Sequence, residues 1–196
     1  KINLKPEHSW FVYNDMFNYE LVFPFKNMAY WDDPQAWEKQ FIGTDAEADY
    51  KEFQKTMSSI DAKVTREIVV KDAKLEYEPT TPLNEHLFTR VDYHFVAAGK
   101  YEDFKGAVKK YFELLKAVEF PYPVSVYWVM FGESRVDMVT FYDDKGKFYC
   151  ENSLTSLVAA KGMEEEFQEL MKLWTPTITR FEHHDQMFRP DLSYMG

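Results

Sequence analysis

Cysteine is almost absent from this chain of 196 residues: Cys150 is the only one. That excludes a disulfide framework and a cysteine-based zinc site. Glycine is scarce as well, at 7 residues, and no G-x-G-x-x-G, P-loop or G-x-S-x-G sequence occurs. Nucleotide-binding and serine-hydrolase readings therefore lose their usual support. Basic residues are too few, 23 against 33 acidic ones, and the net charge of −10 argues against a nucleic-acid partner. No apolar run approaches the roughly 20 residues a membrane helix needs. The chain opens at Lys1 without an initiator Met or a signal-peptide pattern. What it does have is aromatic mass, 17 Phe, 13 Tyr and 5 Trp, in a sequence 45% hydrophobic. Such a composition builds a packed core and excludes disordered or low-complexity chains.

The sequence also repeats itself. Glu52-Phe53-Gln54 with Met57, Val64 and Arg66 recurs as Glu166-Phe167-Gln168 with Met171, Ile178 and Arg180, at one constant spacing. Upstream, Trp10–Tyr13 reads like Trp128–Phe131, and Glu20-Leu21-Val22 like Asp137-Met138-Val139. Matched blocks in one order point to duplication.

The second copy is the more regular. Leu87–Ala97 alternates Val91, Tyr93 and Phe95 against Arg90, Asp92 and His94, the pattern of a half-buried strand. Tyr101, Phe104, Val108, Tyr111, Leu115 and Val118 predict a helix with one apolar stripe, stopped by Pro121 and Pro123. Strands are expected over Val124–Phe131 and Val136–Tyr142, a turn at Asp143–Gly146, a helix from about Ser153 to Trp174, and a last strand over Thr177–Met187. The order β-α-β-β-α-β is that of a ferredoxin-like unit, an α+β layer with strand order 4-1-3-2. The first copy follows in part. Strands are expected over Trp10–Phe17, Tyr19–Phe25 and Val64–Val70, with helix over Asp33–Ile60 broken near Gly43. Asp33-Pro34 reads as a cap with proline after it, and Thr44 with Glu47 as a capping box. Its opening strand and helix are missing. Lys1–Glu7 looks like the tail of that helix, so the counterpart of Leu87–Phe120 is expected to precede Lys1. The organisation expected is a first, incomplete repeat over residues 1–80, a linker over 81–86 and a complete repeat over 87–196.

A duplicated ferredoxin-like unit resembles the dimeric α+β barrel superfamily, which includes antibiotic-biosynthesis-type monooxygenases, NIPSNAP-like and EthD-like proteins and chlorite-dismutase-like haem proteins. The resemblance rests on element order, repeat and strand patterning over most of the chain, not on a signature motif. It implies tandem sheets closing an α+β barrel around a shared interior. It admits a homodimer. Haem is not expected, because no histidine falls inside an expected helix, and no other cofactor is called for.

Strands one and four of such a sheet are neighbours. With Val91, Tyr93 and Phe95 turned to the helices, Arg90, Asp92 and His94 are expected on the opposite face, meeting Arg180, Glu182 and His184 from the last strand. Arg66, the counterpart of Arg180, would add a cation, and Tyr127 a phenol. Three readings are open. The patch is a charge ladder of a structural or interaction protein. Or it is a small-molecule pocket in which Arg90 or Arg180 holds an anionic or carbonyl group and His94 or His184 moves protons. Or Asp92, His94, Glu182 and His184 hold a metal.

Overall fold

The strongest β-formers lie between residues 88 and 142, and in the computed structural model they build the centre of an antiparallel sheet. The structure describes residues 11–16, 18–32, 36–39, 41–45, 47–59, 63, 65–83 and 86–193. The segments Lys1–Glu7, Trp10 and Asp33-Pro34, to which expectations were attached, lie outside them. The described residues are mixed α+β and fall into two units. One comprises Asn14–Asn18 and Arg66–Phe188, the other the residues up to Tyr13, Tyr19–Thr65 and from Arg189 onward.

The smaller unit carries the first part of β1 (Phe11–Asp15) and all but the first residue of β2 (Asn18–Val22), two strands that are neighbours, then α1 (Ala36–Lys39) and α2 (Glu47–Ser59). The helical stretch breaks at Gly43, which takes φ 76. There the Glu47 carboxylate accepts the Gly43 N–H at 2.8 Å, one residue earlier than the expected capping box would have it.

In the larger unit β3 (Ile68–Tyr77), β4 (Phe88–Val96), β5 (Val124–Phe131), β6 (Val136–Tyr142) and β7 (Ile178–Phe188) lie side by side as β7-β4-β6-β5-β3. For the last four the order is the one expected of strands 4-1-3-2, and every pairing is antiparallel. β3 runs longer than the expected Val64–Val70, and it pairs with β5, so the expected joint at 81–86 falls inside this unit.

Helix α3 (Tyr101–Ala117) has Glu102 and Asp103 in its first turn, where the helix dipole favours them. It ends where Glu119 takes φ 55 and the Phe120 N–H returns to the Leu115 carbonyl at 2.9 Å. The expected turn after β6 is instead a short helix, α4 (Lys145–Tyr149), because the Asp144 side chain caps it by accepting the Lys147 N–H. α5 (Leu154–Lys161) and α6 (Glu164–Trp174) divide the expected single helix at Gly162, whose φ of 65 forms a left-handed C-cap. One face of the sheet, with Val124, Val126, Val136, Met138 and Tyr142, packs on Phe104, Val108 and Leu115 of α3 and on Leu170 and Trp174 of α6. This is the core.

Candidate functional site

The register of β4 against β7 decides which side chains can meet. Val91 lies opposite His184, Tyr93 opposite Glu182 and Phe95 opposite Arg180, while Arg90 faces Asp185, Asp92 faces His183 and His94 faces Phe181. Directly opposed residues share a face. The expected rows therefore do not meet: Arg90, Asp92 and His94 are on the helix-covered face, Arg180, Glu182 and His184 on the other. A four-ligand metal site from Asp92, His94, Glu182 and His184 is ruled out, since the sheet stands between its halves. Among the described residues no cluster of three or more metal-ligating side chains occurs.

The inversion comes from His94. Its ring is 4% exposed, within 5.1–5.5 Å of the Phe104, Trp174 and Phe181 rings, with Nδ1 3.1 Å from the Asp92 carbonyl. Burial pushes its pKa down to about 4, so at neutral pH it is an uncharged core aromatic. Beside it Arg90 donates to Asp92 at 2.8 Å, and burial raises the Asp92 pKa against the pull of that guanidinium. Tyr149 and Tyr142 donate to Asp185 at 2.6 and 3.2 Å.

The second face is built differently. One cross-strand row runs Glu182, Tyr93, Asp137, Tyr127, Lys71 from β7 to β3. The next runs His184, Val91, Val139, Ser125, Glu76. Arg135, 8% exposed, lies 4.2 Å over the Tyr93 ring. Its Nε donates to Asp137 at 2.7 Å, and its other nitrogens donate to Glu67 at 2.7 and 2.5 Å. Asp137 is itself only 7% exposed. Arg180 lies 3.6 Å over the Phe95 ring, donating to Glu133 at 2.7 Å and paired with Glu182 at 3.1 Å. Together with Phe95, Val96, Glu133, Ser134 and Thr179 it lines an open cleft of about 330 Å³. His184 lies 5.0 Å from the Tyr93 ring. Burial raises the Tyr127 phenol above its ordinary value. Thr89 bonds Gln186 across the same face, both buried. Arg66 is exposed in the segment leading into β3.

Of the residues expected at the site, Arg180, Glu182, His184 and Tyr127 thus share this face. Arg135, Asp137 and Glu67 were not anticipated. The signal available was Arg135-x-Asp137 at the start of β6, a spacing that puts both side chains on one face.

No protein-family model matches the chain, and no curated protein matches it. Two crystal structures resemble it. One is a putative monooxygenase from Lactobacillus acidophilus NCFM, 14% identical, with TM-score 0.50 over 93% of this chain and 78% of that one. The other is a putative monooxygenase from Fusobacterium nucleatum subsp. nucleatum ATCC 25586, 12% identical, with TM-score 0.52 over 96% and 81%. At such identities the likeness is one of fold.

Proposed function

We propose that the chain binds, and converts, a small organic molecule against the second face of the larger sheet. The observation that carries the reading is the row Glu182–Tyr93–Asp137–Tyr127–Lys71, with Arg135 buried above it. A sheet face that serves packing alone gains most from apolar residues, whereas this one keeps buried carboxylate, guanidinium, hydroxyl and amide groups beside aromatic rings. Tyr93 and Tyr127 supply phenol groups and flat surface to a ligand, and His184 supplies a base. The description of the two similar structures as putative monooxygenases fits this class of substrate, and the reaction we assign to it is an oxygenation by dioxygen without a resident cofactor, in which the substrate itself supplies two electrons, one oxygen atom enters the product and the other leaves as water.

The architecture we propose for this is two ferredoxin-like repeats, residues 1–80 and 87–196 joined over 81–86, around an α+β barrel interior. Two findings support it. Residues 88–188 run β4, α3, β5, β6, α4 to α6 and β7, with the strands ordered β7-β4-β6-β5, and β3 lies beside β5.

The test is ligand-observed NMR of the purified chain against a panel of small phenols, quinones, aromatic amines and aromatic carboxylates, with oxygen uptake measured on every binder. Binding that is lost in a Tyr93→Ala/Tyr127→Ala variant of native fold supports the reading; a blank panel overturns it.

A second reading rests on the pairing of Arg135 and Arg180 with carboxylates on this face. In it the rows are a charge ladder of a non-catalytic interaction protein, with a second copy of the chain as partner. A blank ligand panel together with a concentration-dependent dimer in sedimentation equilibrium would favour it.

A further inference from the structure

The charges of the second face indicate what kind of molecule it takes, an inference that rests on the site reading above. Among the described residues of that face, Arg135, Arg180 and Lys71 are each met by a carboxylate. Arg135 is held by Glu67 and Asp137, Arg180 by Glu133 and Glu182, and Lys71 by Glu76. Even with exposed Arg66 counted, the carboxylates of Glu67, Glu76, Glu133, Asp137 and Glu182 outnumber the cations. An incoming anion would have to displace an internal carboxylate and leave it uncompensated in a partly buried setting. The expected role of Arg180, holding an anionic group, is opposed by this arrangement.

The same face shows what it holds well. Twice it places a planar cation over an aromatic ring with carboxylates bonded to the cation: Arg135 over Tyr93 with Asp137 and Glu67, and Arg180 over Phe95 with Glu133 and Glu182. Ring quadrupole and carboxylate act on the cation together, and partial burial strengthens both. Tyr127 stands in the same row with Asp137 directly opposite on β6, yet among the described residues no guanidinium or ammonium lies over its ring. Its ring is half-buried.

We propose that the ligand of this face is a planar organic cation, seated on the Tyr127 ring with its charge toward Asp137. Such a molecule would repeat, from solution, the pairing the chain already makes internally at Tyr93 and Phe95.

Three probes of one shape and different charge test this by isothermal titration calorimetry at neutral pH: 1-methylquinolinium, quinoline and quinoline-2-carboxylate. The expected order is cation, then neutral ring, then anion, with about tenfold tighter binding of the cation than of the neutral ring. Tyr127→Phe keeps that preference because the ring remains, while Tyr127→Leu removes it. Tighter binding of the carboxylate, or a cation preference unchanged in Tyr127→Leu, overturns the proposal. If quinolinium fails to bind while the wider panel yields a ligand, this inference falls and the site reading stands. If the panel is blank as well, both fall.

Discussion

His94 and Arg135 solve the same problem, a polar side chain inside a packed fold, in opposite ways. His94 gives up its charge. Its pKa falls from 6.5 to about 4 on folding, so the unfolded chain binds a proton that the native chain refuses. The contribution of the neutral ring is complete above pH 6.5 and is lost as pH falls toward 4, about 3 kcal/mol in all. Urea unfolding across pH 4 to 7 should show that slope, and His94→Phe should flatten it. Arg135 keeps its charge, and four of its five donors are spent on Glu67 and Asp137. Arg135→Met leaves two carboxylates uncompensated and should cost about 3 kcal/mol, read as a lower urea midpoint. Adding Glu67→Gln and Asp137→Asn should recover most of that loss. A triple variant no more stable than Arg135→Met would refute the ion-pair account.

At the scale of elements, a left-handed C-cap separates α5 from α6. Gly162 has open space where a Cβ would sit, so Gly162→Ala costs only the backbone strain of φ 65, about 1 kcal/mol, measurable as a small fall in Tm. A larger loss would mean that the residue packs more tightly than the geometry allows. Elements of this kind mark how far the sequence could be read. The bounds of β5 and β6 were legible to the residue, because runs rich in β-branched and aromatic side chains end at Pro123 and Gly132 for β5 and at the Asp143-Asp144 pair for β6. α4 was not: Asp143-Asp144-Lys145-Gly146 carries turn residues, and the same Asp144 that suggests a turn also caps a helix. The second half of β3 lies beyond the expected strand, which stopped at Val70 because Lys71-Asp72-Ala73-Lys74 breaks the alternation, and there the register with β5 shifts. The facing of β4 was misread since both its faces hold apolar residues, Phe88 and Val96 on one, Val91 and Phe95 on the other. Only the neighbours in space, Phe104 and Trp174 on one side and Arg135 and Arg180 on the other, decide which is which. The candidate site was legible as residue types and not as an arrangement.

At the scale of the molecule, a net charge of −10 sets what the surface attracts. The chain should pass through a heparin column at 50 mM salt and neutral pH, and retention there would contradict the absence of a polyanion partner. The placing of β4 has a temporal meaning as well. This strand is central, hydrogen-bonded to β6 on one side and β7 on the other. Its partner β7 follows about 90 residues later, which at ribosomal speed is roughly 5–20 s of synthesis. Throughout that interval the nascent chain holds Val91, Tyr93 and Phe95 on a strand whose β7 edge lacks its native partner. A ribosome stalled before Ile178 therefore displays an unfinished, adhesive sheet, so the last strand made is the one that commits the larger unit to its native form.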